Sequence, residues 1–133
     1  MESLLPLLLL ISITSVIGLT LRAKKGVIKK GSRLKISDLE FGGKYGSRLT
    51  ILQFSTTFCS ECRTAKAIVK DVVKDSKDIT YFEVDAESNL DLVRRVDIRS
   101  TPTTIFLDAK GFEIARAKGA PKRDQLIKAI KAI

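Results

Sequence analysis

The two cysteines of the chain, Cys59 and Cys62, are the residues whose type and spacing point most directly to chemistry. They follow a mostly apolar stretch, residues 49–55, and a short polar turn, and a helical pattern begins at the first of them. Side chains three residues apart on a helix lie about one turn from each other, close enough to form a disulfide. The pair can therefore form and break a disulfide while the surrounding fold stays in place.

The position of Cys59 at the start of the predicted helix makes it the candidate nucleophile. Unpaired backbone N–H groups and the positive end of the helix dipole favour a thiolate there. Cys62, one turn further along, is the candidate resolving thiol, which attacks a mixed disulfide and releases the substrate. Among the neighbouring charges, Glu61 opposes thiolate formation whereas Arg63 and Lys66 favour it, so the sign of the net effect stays open.

Other uses of the cysteines fit the composition less well. The chain has no histidine, which excludes Ser-His-Asp and Cys-His hydrolase sites of the usual form. A closed zinc site would need further ligands from carboxylates or a second chain, so we expect no bound metal, and a zinc-linked dimer remains an alternative. A purely structural disulfide closing so short a loop would stabilise the fold by only about 2 kcal/mol. Redox chemistry is the favoured interpretation.

The length and charge of the chain suggest one compact domain behind a basic segment. The 133 residues carry a formal net charge of +9. Basic residues cluster directly after an apolar segment, at Arg22, Lys24, Lys25, Lys29 and Lys30. No aromatic side chains alternate with them, as a stacking platform for nucleic acid would require, so we expect no nucleic-acid partner and interpret the run as a solvated, membrane-adjacent segment.

Residues 4–21 contain no charged side chain and are just long enough for a transmembrane helix. Pro6 falls in the first turn of this helix, where a missing N–H costs least. A cleaved signal peptide and a buried core helix are the alternatives, although residues 1–3 lack the usual Lys or Arg of a signal peptide. The positive charges all follow the span, which favours a domain on the cytoplasmic face. Residues 22–33 are predicted to be a flexible basic linker that lies against anionic lipid.

The rest of the chain alternates between strand and helix patterns. A short surface element at residues 37–39 and a glycine-rich loop come first. The predicted elements are a strand at 49–55, a helix at 59–76, a strand at 79–84, a short helix marked by Leu90, Val93 and Val96, strands at 104–108 and 112–117, and a helix at 122–133. This order predicts an α/β fold, with a central mixed sheet flanked by helices.

These features, in this order, resemble the thioredoxin family over about residues 34–133. The resemblance is carried by the strand before the pair, Phe58-Cys59-Ser60-Glu61-Cys62, the strand Phe82-Glu83-Val84-Asp85, Thr101-Pro102-Thr103, the hairpin, Gly119 and the last amphipathic helix. It implies a thioredoxin fold in which Cys59 is the nucleophile, Cys62 the resolving thiol and Pro102 a cis-proline that faces the disulfide. Phe58, Thr101, Pro102 and Gly119 would bind substrate, with the Thr101 backbone open to an extended segment.

The sequence departs from the family pattern at two places. The family commonly has Trp-Cys-Gly-Pro-Cys, so both the docking aromatic and the dipeptide between the cysteines differ here. The family also often buries an aspartate six residues before the first cysteine, where this chain has Gln53, which cannot titrate. Either another group deprotonates Cys62 or turnover is slow. The anchored arrangement also resembles thiol-disulfide proteins of bacterial envelopes, which mostly work outside the cytoplasm.

The sequence thus predicts three regions: an anchor at 1–21, a linker at 22–33 and a thioredoxin-like domain at 34–133. Membrane lipid would contact residues 4–21, no cofactor is expected, and the partners would be protein dithiols or disulfides and a second redox protein. The predicted function is a membrane-anchored thiol-disulfide oxidoreductase. A catalytically weak, thioredoxin-like peptide-binding module is the alternative.

Overall fold

A computed structural model describes residues 4–133, so the predictions that concern residues 1–3 lie outside the described part. The elements are α1 (Leu4–Lys24), β1 (Ile28–Lys30), α2 (Asp38–Phe41), β2 (Leu49–Ser55), α3 (Ser60–Val73), β3 (Ile79–Asp85), α4 (Leu90–Arg95), β4 (Thr103–Asp108), β5 (Glu113–Lys118) and α5 (Arg123–Ala132). The strands form one sheet in the order β1-β5-β4-β2-β3. The α/β fold with a mixed sheet is confirmed.

Strand β2 lies inside the sheet and leads directly to the cysteines. It pairs parallel with β3 and antiparallel with β4, and all seven of its residues are buried. Its side chains alternate between two hydrophobic cores, since Leu49 and Ile51 pack in the core that includes α3 and α5, and Leu52 and Phe54 in the core on the opposite face. A strand covered on both faces reads as a continuous apolar run, which is why its position was predictable.

The linker prediction is wrong for residues 28–30. These residues form β1, an edge strand that pairs antiparallel with β5 through Ile28↔Ala117, Lys29↔Arg116 and Lys30↔Ala115. The exposed edge position explains the two lysines, because charged side chains protect an open edge from pairing with other chains. Three residues are too few to show a strand periodicity, so the charge run masked the strand.

The short helix predicted from Leu90, Val93 and Val96 is present as α4. Val96 is buried and Val93 packs partly buried against the core, whereas Leu90 is 52% exposed and Leu92 is buried in its place. The short surface element at 37–39 is the start of α2, with Ser37 as its N-cap and Glu40 completing a capping box. The other predicted elements are present, with ends that differ by at most three residues.

Helix α1 packs against no core. All 21 of its residues are exposed, and it is the one described helix that is long and apolar enough to cross a membrane. At 1.5 Å per residue its length is about 31 Å, close to the thickness of a bilayer hydrocarbon core. Three of its four hydroxyl side chains, Ser12, Thr14 and Thr20, donate hydrogen bonds to carbonyl groups within the helix at 2.8–3.0 Å. Length and composition alone would also fit a signal sequence.

Candidate active site

The two cysteines lie at the start of α3 and are joined by a disulfide. Cys59 is the N-cap residue and Cys62 lies in the first turn, with 5.2 Å between their Cα atoms. The backbone N–H of Cys62 donates to Cys59 Sγ at 3.1 Å, so the helix start directs a hydrogen bond at this sulfur. Cys59 is half-buried, whereas Cys62 is only 3% exposed. An incoming thiolate can therefore reach Cys59 more easily than Cys62.

The loop that leads into β4 faces the disulfide. The Thr101–Pro102 peptide bond is cis, as the resemblance implies. The Thr101 hydroxyl lies 3.9 Å from Cys59 Sγ and 3.4 Å from the hydroxyl of Thr56. Among residues 4–133, the Thr101 backbone has no hydrogen-bond partner in another segment. It is free to pair with an extended substrate segment placed over the sulfurs.

Gly119 supports this loop from the end of β5. Its N–H donates to the carbonyl of Pro102 at 2.8 Å, and its backbone adopts a left-handed conformation with φ of +83°. That conformation favours glycine. Of the four residues predicted to bind substrate, the structure brings Thr101, Pro102 and Gly119 together beside Cys59.

Phe58 directly precedes the nucleophile and its side chain is 98% exposed. An aromatic ring in water at this position is available for contact with another surface. Its role in substrate binding stays a prediction.

Gln53 lies beneath the disulfide, fully buried in β2. Its Nε2 donates to the Ser55 hydroxyl and to the Cys62 carbonyl, each at 2.9 Å, and its Oε1 accepts from the Tyr81 hydroxyl at 3.0 Å. Burial raises the pKa of Tyr81 well above its ordinary value of 10.0. The cluster is therefore uncharged and hydrogen-bonded, and it positions the backbone of Cys62 without a charged group.

A cleft of about 350 Å³ opens between the start of α3 and the end of β3. It is lined by Ser55, Thr56, Thr57, Cys59, Cys62, Arg63, Lys66, Glu83 and Asp85. Lys66 pairs with Glu83 at 3.4 Å. Hydrogen bonds from the Ser88 hydroxyl and the Glu87 N–H lower the pKa of Asp85, which keeps a negative charge at the cleft.

Glu61 is a further negative charge beside the disulfide, and its partner is distant in the sequence. Lys25 Nζ lies 3.4 Å from Glu61 Oε1. The sequence showed Arg63 and Lys66 as counter-charges but not Lys25, because no local pattern connects positions 36 residues apart. Tyr81 was missed for the same reason, although a tyrosine on the strand next to Gln53 is a recognisable signal once the pairing is known.

The structure shows no metal-binding cluster in the part of the chain it describes. No group of three or more His, Cys, Asp or Glu side chains there could hold a metal ion. In the disulfide form neither cysteine sulfur is a thiolate, which is the form that binds zinc.

The chain is similar to known proteins in sequence and in fold. A family model described as Thioredoxin matches residues 36–132. Thioredoxin H2-2 of Oryza sativa subsp. japonica is 29% identical over 80 residues, which cover 60% of this chain and 58% of that relative. Thioredoxin H2-1 of the same organism is 26% identical over 110 residues, covering 83% and 78%. The solved structure of thioredoxin-2, described as a component of malaria parasite protein secretion machinery, has a TM-score of 0.59 at 28% identity and covers 65% of this chain and 84% of that chain.

A disulfide at the start of a helix, opposite a cis-proline loop on a mixed sheet, defines a class of dithiol–disulfide protein. The family match spans most of the chain and includes both sulfurs and the loop. The chain belongs to the thioredoxin family, and its Cys59–Cys62 pair is that of a thioredoxin-like disulfide oxidoreductase.

Proposed function

We propose that the protein is a membrane-anchored thiol-disulfide oxidoreductase that exchanges the Cys59–Cys62 disulfide with protein dithiols. The observation that carries the proposal is the difference in exposure of the joined sulfurs: Cys59 is half-exposed beside an unpartnered Thr101 backbone, whereas Cys62 is buried. This arrangement favours attack at Cys59 Sγ and keeps Cys62 Sγ away from incoming thiolates.

In the oxidising direction, a substrate thiolate attacks Cys59 Sγ. The bond between the two cysteine sulfurs breaks and Cys62 leaves as a thiolate, giving a mixed disulfide between substrate and Cys59. The second substrate thiolate then attacks the substrate sulfur of this mixed disulfide and displaces Cys59. The substrate has lost two electrons and two protons, the Cys59–Cys62 pair has gained the two electrons, and the protons pass through solvent to the two new thiolates. The same steps in reverse reduce a substrate disulfide.

The surroundings of the sulfurs support these steps. The Cys62 N–H and the Thr101 hydroxyl both point at Cys59 Sγ, which stabilises negative charge on this sulfur when it is the leaving group. Phe58, Thr101, Pro102 and Gly119 form the proposed substrate groove, with the Thr101 backbone pairing to an extended segment. A second redox protein would restore the starting state of the pair, and the direction of electron flow depends on that partner.

Helix α1 is the proposed anchor. It exposes a continuous apolar surface, and three of its four hydroxyl groups donate to carbonyl groups within the helix, which suits a lipid environment. The basic residues after it favour the cytoplasmic face for the domain, and this orientation remains a prediction. A thiol reagent that cannot cross membranes, applied to intact cells after reduction, would label Cys59 only if the domain faces outside.

The proposed exchange can be tested by trapping. The Cys62→Ser variant of the full chain lacks the resolving thiol, so mixed disulfides through Cys59 should accumulate on non-reducing gels and disappear on reduction. Cys59→Ser is the matched control, because it keeps one cysteine but removes the exposed one. Equal capture by both variants, or no capture by either, would contradict the proposal. Binding of an extended peptide without any reduction of insulin would instead favour the peptide-binding module.

A further inference from the structure

The last turn of α1 reaches the substrate groove. Leu21, the final residue of the uncharged segment, lines a cavity of about 220 Å³ together with Lys25, Glu61, Thr101 and Gly119. The groove proposed to bind substrate therefore opens beside the end of the proposed membrane anchor. No sequence pattern indicated this proximity.

Backbone hydrogen bonds fix the chain at this point. The N–H of Gly26 donates to the carbonyl of Lys118 at 2.6 Å, and β1 continues the pairing with β5. Gly26 has a φ of +74°, and an added Cβ would lie 2.1 Å from the carbonyl oxygen of Ala120. Only Lys25 separates the end of α1 from the first of these bonds. The domain is attached to the helix by a short, structured segment and not by a free linker.

The side chain of Lys25 connects the end of α1 to the first turn of α3, which contains Cys62. Its contact with Glu61 joins two side chains that are 65% and 52% exposed, so it contributes little to stability. The contact matters because of its position: Glu61 lies between the two cysteines in the sequence. One lysine side chain thus connects the residue that follows α1 to the residue between the two cysteines.

We infer that the active-site groove faces the bilayer surface and that its substrates are cysteine pairs of integral membrane proteins, located within a few residues of a membrane span. This inference rests on the proposed function. If the uncharged segment spans the hydrocarbon, then Leu21 marks its boundary and the groove lined by Thr101 and Gly119 lies at the level of the headgroups. Lys24, Lys25 and Lys118 beside the groove would be attracted to anionic lipid, which reinforces the same orientation. The fully exposed ring of Phe58 would lie on this face.

The inference predicts a preference for substrates near the membrane. The full chain is placed in vesicles of phosphatidylcholine and phosphatidylglycerol with one of two transmembrane peptides. Both carry the same dithiol loop, either directly after the span or beyond a Gly/Ser linker of about 30 residues, which has a root-mean-square extension of roughly 30 Å. We expect exchange with the near loop to be at least about tenfold faster, because the groove is held where that loop is concentrated.

The matched variant carries about 20 Gly and Ser residues inserted between Lys24 and Lys25. It keeps the Lys25–Glu61 and Gly26–Lys118 contacts but frees the domain from the helix, so the near and far rates should become similar. Equal rates for the two peptides with the unmodified chain, together with normal reduction of insulin, would overturn the inference and leave the proposed function intact. No exchange with either peptide or with insulin would refute the proposed function itself.

A depth measurement tests the orientation without relying on activity. The chain has no tryptophan, so Phe58→Trp and Lys77→Trp each introduce a single fluorescent probe. Lys77 follows the far end of α3, whose 14 residues separate the probes by about 21 Å along the helix. Lipids brominated near the headgroup should quench the probe at position 58 more strongly than the probe at position 77. Equal quenching, or stronger quenching at position 77, would overturn the inference.

Discussion

Replacing Gln53 by Leu tests whether the neutral cluster beneath the disulfide stabilises the fold. Leucine keeps most of the volume but removes the hydrogen bonds to Ser55, to the Cys62 carbonyl and from Tyr81. The Cys62 carbonyl still accepts a hydrogen bond within α3, so losing the bond from Gln53 costs little stability. The bonds to Ser55 and Tyr81 contribute about 1 kcal/mol each, giving a loss of roughly 2 kcal/mol. For a domain of this size, that lowers Tm by about 10 °C.

The measurement is thermal unfolding of the oxidised full chain in detergent, followed by circular dichroism. Thr104→Val is the matched control, because Thr104 pairs with Gln53 across the strands and its hydroxyl is buried without a partner among the described residues. Removing an unsatisfied hydroxyl should change stability by less than about 0.5 kcal/mol or increase it. A Gln53→Leu variant as stable as this control would refute the reasoning.

A double-mutant cycle with Tyr81→Phe examines the cluster as a unit. The single Tyr81→Phe change leaves the buried Gln53 Oε1 without its donor and should cost about 1 kcal/mol. In the Gln53→Leu background the same change removes a bond that no longer exists, so the two losses should not add, with a coupling of about 1 kcal/mol. Strict additivity would show that the hydroxyl and the amide do not interact.

Two further predictions concern the cysteines and the buried carboxylate. In the reduced protein, iodoacetamide should modify Cys59 before Cys62, because Cys62 is only 3% exposed; peptide mapping by mass spectrometry gives the order, and faster modification of Cys62 would reverse the assigned roles. Burial alone raises the pKa of Glu113, but hydrogen bonds from Arg116 and Ser32 outweigh it and leave this pKa below its ordinary value of 4.5. The folded carboxyl binds its proton more weakly than the unfolded one, so stability present above about pH 4.5 is lost as the pH falls further. Tm measured against pH should show this loss, and Glu113→Gln should make it shallower; an unchanged acid profile in that variant would assign the loss to the exposed carboxylates.

The parts of the fold that were predictable from sequence are those in which the local pattern and the packing agree. Strand β2 is buried on both faces and reads as an apolar run, and the buried residues of α3 recur at helical spacing through Ala65, Val69 and Val73. Strand β1 was not predictable, because its three residues gain their structure only by pairing with β5. In α4, six residues gave too little pattern to tell Leu90 from Leu92 as the buried position.

The same distinction holds at the site. Cys59, Cys62, Thr101, Pro102 and Gly119 were identified because their residue types and order are informative without coordinates. The hydrogen bonds of Gln53 and the contact between Lys25 and Glu61 join distant positions, so they required the folded chain. The sequence shows Gln53 where the family often has an aspartate, but it does not show that the Tyr81 hydroxyl donates a hydrogen bond to Gln53.

The way β1 enters the sheet decides where the chain can be cut to obtain a soluble fragment. A truncation at the predicted border, residue 34, would remove β1 and leave the outer edge of β5 open to self-association. It would also remove Ser32, which donates to the buried Glu113, and the N–H of Gly31, which donates to the Ile114 carbonyl at 3.0 Å. A fragment beginning at Gly26 keeps all of these contacts and is the better choice for crystallisation.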